Sequence, residues 1–128
     1  MKLAVVDDAY NAQELIADYL ADYGYNVRGF RDPDEMEQTA LEYDGIIMDV
    51  MIGRDRTRGI TSIQSWAKSG MLRPGTLVVL ISSFGRERKE ISDLLSELKS
   101  SIAFEWLDKT FDTSFFNRLQ SIIEAHRK

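Results

Sequence analysis

The chain has 128 residues, 44% of them hydrophobic and 29% charged, which is typical of one globular domain with a sizeable core. Its formal net charge of −5 argues against direct nucleic-acid binding, because phosphate contacts need clustered Lys and Arg. The absence of cysteine excludes disulfides and thiolate metal sites, and no apolar stretch is as long as a membrane span. The N-terminus shows no signal-peptide pattern, so we expect a cytoplasmic protein without membrane contact.

Strand and helix patterns alternate five times along the chain. The first strand is predicted at about 2–6, and the helix after it is expected to stop near Gly24. The apolar positions at helical spacing in this first helix are Leu15, Ile16, Tyr19, Leu20 and Tyr23. The second strand is predicted at about 25–30. Asp32 is expected to cap the second helix, with Pro33 at its first position.

The second half of the chain continues the same alternation. The third strand is predicted at about 45–49 and is followed by a polar loop, 53–59. The fourth strand is predicted at about 76–82 and the fifth at about 102–107. The helices that follow these three strands carry apolar faces at Ile60, Ile63, Trp66 and Ala67, at Ile91, Leu94, Leu95 and Leu98, and at Phe115, Phe116, Leu119, Ile122 and Ile123.

The central strands are continuous apolar runs, as is typical of strands buried on both faces of a parallel sheet. Five strand–helix units of this length favour an α/β fold with a flavodoxin-like doubly wound sheet. We therefore predict five parallel strands in the order 2-1-3-4-5, with five helices, in a single domain spanning 1–128. The chain ends soon after the fifth helix, so we expect no output domain within it.

Polar side chains stand where the apolar runs end. Asp7 and Asp8 close the first run, Asp49 closes the third, Ser82 closes the fourth and Lys109 follows the fifth. The ends of parallel strands share one edge of the sheet, where open α/β sheets bind ligands. Three carboxylates there leave excess negative charge, which Mg²⁺ relieves. A carboxylate, a hydroxyl and an ammonium beside this metal suit nucleophilic transfer of a phosphoryl group.

Four segments, taken in order, resemble the receiver domain of bacterial two-component response regulators. They are VVDDAYNAQELI, YDGIIMDVM, LVVLISS and FEWLDKTF, and the resemblance covers essentially the whole chain. It implies that Asp49 is the phosphoacceptor, which takes a phosphoryl group from a histidine kinase or a phosphotransfer protein. Ser82 would bond the phosphoryl group, and Lys109 would pair with Asp49 before transfer and with the phosphoryl group afterwards. The chain would then be no enzyme beyond self-catalysed uptake and loss of this group.

The resemblance also implies a metal site and a signalling surface. Asp8, helped by Asp7, would hold Mg²⁺ together with Asp49 and the backbone carbonyl of Met51. Trp106 stands where receivers often carry an aromatic switch residue, and its ring is expected to turn inward on phosphorylation. The surface of the fourth helix, fifth strand and fifth helix would then change, and an unknown downstream protein would read that change. Homodimer formation is left open.

The sequence departs from the receiver pattern in two loops. Gly53 takes the place of the usual Pro after the acceptor, and the usual Gly has its counterpart in Gly59, which indicates a two-residue insertion. Lys109 is followed by Thr110 where the family usually has Pro. A trans bond is expected there, because a cis bond without Pro costs roughly 3 kcal/mol.

Other interpretations stay open at this stage. A pseudo-receiver would use the same fold as a docking module without phosphorylation. A flavodoxin would need a Ser/Thr/Gly-rich phosphate loop, which VVDDAYNAQ is not, and an aspartate-nucleophile phosphatase usually has Asp-x-Asp on its first strand. Strand alternation favours Ser82 as the site hydroxyl, with Ser83 as the alternative. Arg54, Arg56 and Arg58 are interpreted as solvated loop surface.

Overall fold

The described residues of the computed structural model, 1–39 and 42–127, form one five-stranded, all-parallel sheet with helices on both faces. The strands are β1 (Lys2–Val6), β2 (Asn26–Phe30), β3 (Gly45–Asp49), β4 (Leu77–Ser82) and β5 (Glu105–Asp108). The helices are α1 (Tyr10–Asp22), α2 (Pro33–Glu37), α3 (Arg58–Ser69), α4 (Lys89–Lys99) and α5 (Thr113–Arg127). The strand order β2-β1-β3-β4-β5 confirms the predicted fold class. The single domain at 1–128 stays a prediction, and residues 40, 41 and 128 lie outside the described residues.

The predicted strand boundaries are closest in the centre of the sheet. β1 and β3 have the predicted bounds, and β2 and β4 each begin one residue later. The prediction for β5 was wrong at its start, because the strand begins at Glu105 rather than at 102. The backbone N–H of Ile102 donates to the carbonyl of Leu98, so this residue lies in the turn that follows α4 and not in the strand. Its apolar side chain packs against the core from a loop, which the sequence pattern does not distinguish from a strand.

Alternate strand residues face two separate apolar layers. One layer joins β-strand residues to α2, α3 and α4, with Trp66, Ile91 and Leu95 among its helix residues. The other joins the sheet to α1 and α5, with Ile16 and Leu119 at its centre. The strands β3 and β4 are buried along their whole length, as expected for continuous apolar runs between two helix layers.

The helix ends follow the predicted signals. The Asp32 carboxylate accepts from the N–H of Glu35 and caps α2. The chain after α1 turns at Gly24, whose φ of 85° lies in the left-handed region. Of the apolar positions at helical spacing in the first helix, Leu15 and Tyr23 are not buried, since they are 48% and 51% exposed. Each helical residue is rotated about 100° from the next, so Leu15 lies beside the buried stripe, and Tyr23 follows the last helical residue.

Gly59 allows α3 to start directly against the end of β3. Its N–H donates to the carbonyl of Val50 over 2.9 Å. A Cβ atom at this position would lie 2.1 Å from the backbone oxygen of Asp49. Sequence analysis placed Gly59 at the end of a loop, whereas the structure places it in the first turn of α3. The absence of a side chain here therefore sets how closely the helix approaches the candidate acceptor.

The described helices include none with both the length and the apolar character needed to cross a bilayer.

We predict that Gly59→Ala lowers the free energy of unfolding by about 3 kcal/mol, the upper end of overpacking costs. The clash involves two backbone segments, so no side-chain rotation can relieve it. Gly24→Ala is the matched control, since its Cβ would meet nothing within 4 Å. Its strained φ should cost only about 1–2 kcal/mol. Urea denaturation measures both, and equal losses would contradict the close approach of α3.

Candidate functional site

The carboxyl edge of the sheet collects the charged residues singled out in the sequence. Asp7 and Asp8 follow β1, Asp49 is the last residue of β3, and Lys109 follows β5. The backbone N–H of Lys109 donates to the carbonyl of Ser82, which ties the segment after β5 to the end of β4. The parallel register therefore brings together side chains that are far apart along the chain.

Lys109 lies between two buried carboxylates. Its Nζ is 2.6 Å from Oδ2 of Asp7 and 3.1 Å from Oδ2 of Asp49. The three side chains are only 9%, 0% and 6% exposed, respectively. The contact with Asp49 is a hydrogen bond, whereas the contact with Asp7 is an ion pair outside hydrogen-bond geometry. Loss of one partner from a buried ion pair of this kind strongly destabilises the folded protein, because a charge is then left buried and unpaired.

The three carboxylates form a set of oxygen donors that fits Mg²⁺. One oxygen from each of Asp7, Asp8 and Asp49 lies within 4.8 Å of the others. The N–H of Ala9 donates to Oδ1 of Asp7, and the N–H of Gly53 donates to Oδ2 of Asp8. These backbone bonds fix the carboxylates beside the cavity. Hard oxygen ligands with excess negative charge are what Mg²⁺ prefers in proteins.

A cavity of about 210 Å³ opens above this cluster. The residues that line it are Asp8, Asp49, Met51, Gly53, Ser83, Phe84 and Lys109. Both walls beside Asp49 are loops, one following β3 and the other following β4. The candidate acceptor is thus reached from solvent between two loops.

Burial and neighbouring charges shift both central groups. Burial raises the pKa of the Asp49 carboxyl to about 7; the charge of Asp7 adds to this effect, whereas the charge and hydrogen bond of Lys109 oppose it. Burial by itself would lower the pKa of the Lys109 ammonium. The contact with Asp7 and the charge of Asp49 outweigh burial, so the pKa of Lys109 is raised. Lys109 therefore stays protonated, and its single positive charge does not neutralise the three carboxylates.

The serine that ends β4 and the serine that follows it occupy different positions. Ser82 is 1% exposed, and its Oγ accepts from the N–H of Phe84 over 2.9 Å. Ser83 is exposed and lines the cavity. The structure therefore brings Ser83 to the cavity, whereas the hydroxyl of Ser82 is bonded to the N–H of Phe84. The role of either serine stays a prediction.

Trp106 is already packed in the core. Its side chain belongs to the layer formed with α3 and α4, and the residue is 9% exposed. The indole Nε1–H donates to Oδ1 of Asp108 over 3.1 Å. The ring is already buried in this structure, so the expected inward turn has no outward-pointing ring to start from. A switching role at Trp106 would have to work by repacking of a buried ring.

Sequence reasoning missed the turn that follows Lys109. The described residues contain no cis peptide bond, so Lys109–Thr110 is trans as expected. Phe111 has a φ of 55°, and its ring centroid lies 5.8 Å from the Nζ of Lys109. The Asp112 carboxylate accepts from the hydroxyl of Thr110 and from the N–H of Phe115. The capping pattern of Asp three residues before a helical Phe was the available signal for this turn.

We predict that, without metal, the Asp49→Asn protein is more stable than wild type at about pH 8. The difference in stability between the variant and wild type should be smaller at about pH 5. The folded pKa of Asp49 is about 7, whereas an unfolded Asp has a pKa of about 3.9. The folded state binds this proton more tightly, so wild-type stability falls as pH rises between these two values. The variant cannot lose stability in this way. Thermal melts in a chelator measure the difference.

Asp44→Asn is the control for that experiment. The backbone N–H of Lys2, followed by Arg73, lowers the pKa of the Asp44 carboxyl, so its charge is unchanged between the two pH values. Its effect on the melting temperature should therefore be the same at both. A wild type that is more stable than Asp49→Asn at about pH 8 would mean that the Lys109 ion pair outweighs burial.

Comparisons with known proteins give a consistent structural match. No protein-family model matches the chain, and no curated protein matches its sequence. The response regulator TrrA from Thermotoga maritima, solved in complex with Mg²⁺-BeF, is 22% identical with a TM-score of 0.75, over 98% of this chain and 97% of that one. The receiver domain of NtrX from Brucella abortus is 22% identical with a TM-score of 0.74, over 97% and 96%.

A third solved structure agrees. The BeF₃-activated N-terminal receiver domain of RstA from Klebsiella pneumoniae is 22% identical with a TM-score of 0.73, over 98% of this chain and 97% of that one. In a longer NtrX chain from Brucella abortus the match spans only 27% of that chain. At this identity the likeness establishes the fold, and it extends from end to end of the matched receiver domains. The chain has the flavodoxin-like fold of response-regulator receiver domains.

Proposed function

We propose that this chain is a phosphoacceptor receiver domain in which Asp49 takes a phosphoryl group from a histidine kinase or a phosphotransfer protein. The observation that carries the proposal is the 3.1 Å hydrogen bond between the buried Asp49 and Lys109 inside a three-carboxylate cluster. A structural ion pair needs one carboxylate, whereas this ammonium contacts two, with a third beside them. The fold supplies the position, because ligands of such sheets bind at the carboxyl edge.

The chemistry requires one bond to form and one to break. An oxygen of Asp49 attacks phosphorus, and the bond from phosphorus to the donor nitrogen breaks with its electron pair returning to that nitrogen. A donor that carries a proton on its other ring nitrogen is thereby left as a neutral imidazole. Lys109 pairs with Asp49 before transfer and with the phosphoryl oxygens afterwards. The second contact of Lys109, with Asp7, holds the ammonium in the site while its first partner reacts. Uptake and hydrolytic loss of the group would be catalysed by the domain itself, with no separate substrate.

The carboxylates of Asp7, Asp8 and Asp49, with the backbone carbonyl of Met51, would hold Mg²⁺. When bound, this ion offsets the charge of the carboxylates and of the incoming phosphoryl oxygens. The hydrogen bond from Gly53 keeps Asp8 aimed into the site, so the loop after β3 takes part in ordering the ligands.

Signalling would leave through the face formed by α4, β5 and α5. The N–H of Lys109 is bonded to the carbonyl of Ser82, so a shift at one strand end reaches the next. The phosphoryl group would favour one of two packed arrangements through its bonds to these two residues, with Trp106 repacking between them. The downstream protein is unknown. A homodimer and a cytoplasmic location remain parts of the proposal.

We expect the wild-type protein to gain the mass of one phosphoryl group when incubated with acetyl phosphate and Mg²⁺. Asp49→Asn should gain none, because an amide is a poor nucleophile. Lys109→Met should react much more slowly, since it keeps the length of the side chain and removes its charge. Intact-mass spectrometry measures all three.

Two controls separate this activity from its rivals. Asp55→Asn removes an exposed carboxylate of the neighbouring loop and should react like wild type. Phosphorylation of the Asp49→Asn protein would show that another residue is the acceptor. A folded wild type that stays unmodified by acetyl phosphate, phosphoramidate and a panel of phosphorylated histidine kinases would support the pseudo-receiver instead.

Mg²⁺ should stabilise the folded protein, because a ligand that binds only the folded state raises its free energy of unfolding. The gain is about 1.4 kcal/mol at a concentration about ten times the dissociation constant. Asp8→Asn should lose most of this gain, although an oxygen that can accept from Gly53 remains. Asp22→Asn, an exposed carboxylate at the end of α1, should respond like wild type. Equal melting temperatures of wild type with and without millimolar Mg²⁺ would rule out the metal site.

A further inference from the structure

The net charge of the chain is concentrated near its N-terminus. Residues 3–27 contain five acidic residues and no Lys or Arg, whereas the rest of the chain contains sixteen acidic and sixteen basic residues. Asp7 and Asp8 belong to the candidate acceptor site. The other three carboxylates lie on α1 and are all exposed: Glu14, Asp18 and Asp22. Helix α1 therefore carries the acidic surface of a domain whose remaining charges balance.

The three carboxylates of α1 form a stripe without partners. They follow one another at intervals of four residues, so they lie on one side of the helix. None of the three forms an ion pair with a described residue. Like charges at this spacing weaken a helix slightly, and a positively charged partner would relieve their repulsion.

An apolar stripe runs beside the acidic one. Four large apolar side chains are well exposed among the described residues, and three of them, Tyr10, Leu15 and Tyr23, lie on α1 or directly after it. Leu15, Tyr19 and Tyr23 are also spaced at intervals of four residues, and each directly follows one of the three acidic residues. Neighbouring residues of a helix are rotated by about 100°, so the two stripes are adjacent on its surface.

The apolar stripe continues onto α5. The ring centroid of Tyr19 lies 5.1 Å from that of Tyr23 and 4.7 Å from that of Phe116 on α5. The hydroxyl of Tyr19 donates to the hydroxyl of Tyr23 over 3.3 Å. These contacts hold the rings at the junction of the two helices, where Tyr23 keeps 51% of its surface exposed. A helix added from outside can pack its ridge of side chains along such a junction.

The charge beside the apolar stripe decides which occupant fits. A second copy of this chain, related by a two-fold axis, would bring two acidic stripes together. A membrane of anionic lipids or a nucleic acid is repelled for the same reason. A helix with an apolar face bordered by Lys or Arg complements both stripes at once.

We propose that the two stripes of α1 bind an amphipathic helix of a partner protein whose apolar face is bordered by Lys or Arg. Leu15, Tyr19 and Tyr23 contact its apolar face, and the acidic stripe pairs with its basic residues. Tyr23 lies about 20 Å along the helix axis from Tyr10, which is the end of α1 next to the acceptor site. A helix seated over Tyr19 and Tyr23 therefore leaves the cavity above Asp49 open. This binding goes beyond the proposed phosphoryl transfer and does not depend on it.

The test measures the binding of synthetic helices by fluorescence anisotropy. The labelled peptide KLAKLAKKLAKLAK has leucines on one face and lysines beside them. It should bind wild type and Asp49→Asn equally, because the acceptor takes no part. Its acidic counterpart ELAELAEELAELAE should not bind. The peptide KAAKAAKKAAKAAK keeps the charges without the leucines and should bind at least about tenfold more weakly.

Two double variants locate the site. Glu14→Gln with Asp18→Asn should raise the dissociation constant about fivefold, as expected for the loss of two exposed ion pairs. Leu15→Gln with Tyr23→Gln should raise it at least about tenfold, because apolar contact area is lost. All four side chains are largely exposed or half-exposed, and circular dichroism establishes that each variant is folded.

Matched controls come from other surfaces. Glu90→Gln removes an exposed carboxylate of α4, and Met71→Gln removes the exposed apolar side chain between α3 and β4. Both should bind the basic peptide within about twofold of wild type. Losses equal to those of the α1 variants would overturn the site. Equal binding of the peptide without leucines would also overturn it, because charge alone would then account for the contact.

The remaining outcomes name other occupants or separate the two proposals. Self-association of wild type that Leu15→Gln abolishes would assign the surface to a second copy. Binding of phosphatidylglycerol vesicles that the same variant abolishes would assign it to a membrane. Saturating peptide should leave labelling of Asp49 by acetyl phosphate unchanged, and inhibition would overturn the placement on α1. A wild type that binds the peptide and takes no phosphoryl group would overturn the phosphoacceptor function alone.

Discussion

The Lys109 ammonium between the carboxylates of Asp7 and Asp49 is the interaction on which the site depends. Three strands must end in register for it to form, because its members follow β1, β3 and β5. All three side chains are nearly removed from water, where an unpaired charge is costly. One ammonium cannot balance three neighbouring carboxylates, so the site is left with negative charge that a cation would relieve. Burial raises the pKa of Asp49, and the neighbouring charge of Asp7 adds to that effect.

The fold places this costly group where its burial is supported. The continuous apolar strands β3 and β4 hold the edge rigid between two helix layers. Gly59 lets α3 begin directly against the backbone of Asp49. The cavity above it is lined by Asp8 and Lys109 and by the two loops that follow β3 and β4.

Those loops are where this chain differs from the receiver pattern. Thr110 replaces the usual Pro, and the turn is held instead by the Asp112 carboxylate and by Phe111 in a left-handed conformation. Phe111 carries a backbone cost of order 1–2 kcal/mol, which its ring contacts with Phe115 and Phe116 help to offset. The loop after β3 brings Arg56 to Phe84.

The sequence by itself determined the sheet and the identity of the edge residues. Apolar runs closed by Asp7, Asp49 and Ser82 are local signals, and parallel pairing converts them into one edge without further information. The start of β5 was mispredicted because Ile102 is apolar in a loop, and periodicity does not report which backbone groups are bonded. The tertiary structure alone decided that Lys109 contacts two carboxylates, that Trp106 is buried from the outset and that Arg56 stacks on Phe84. Each of these depends on distances between residues far apart in the chain, and such distances follow from packing and not from local pattern.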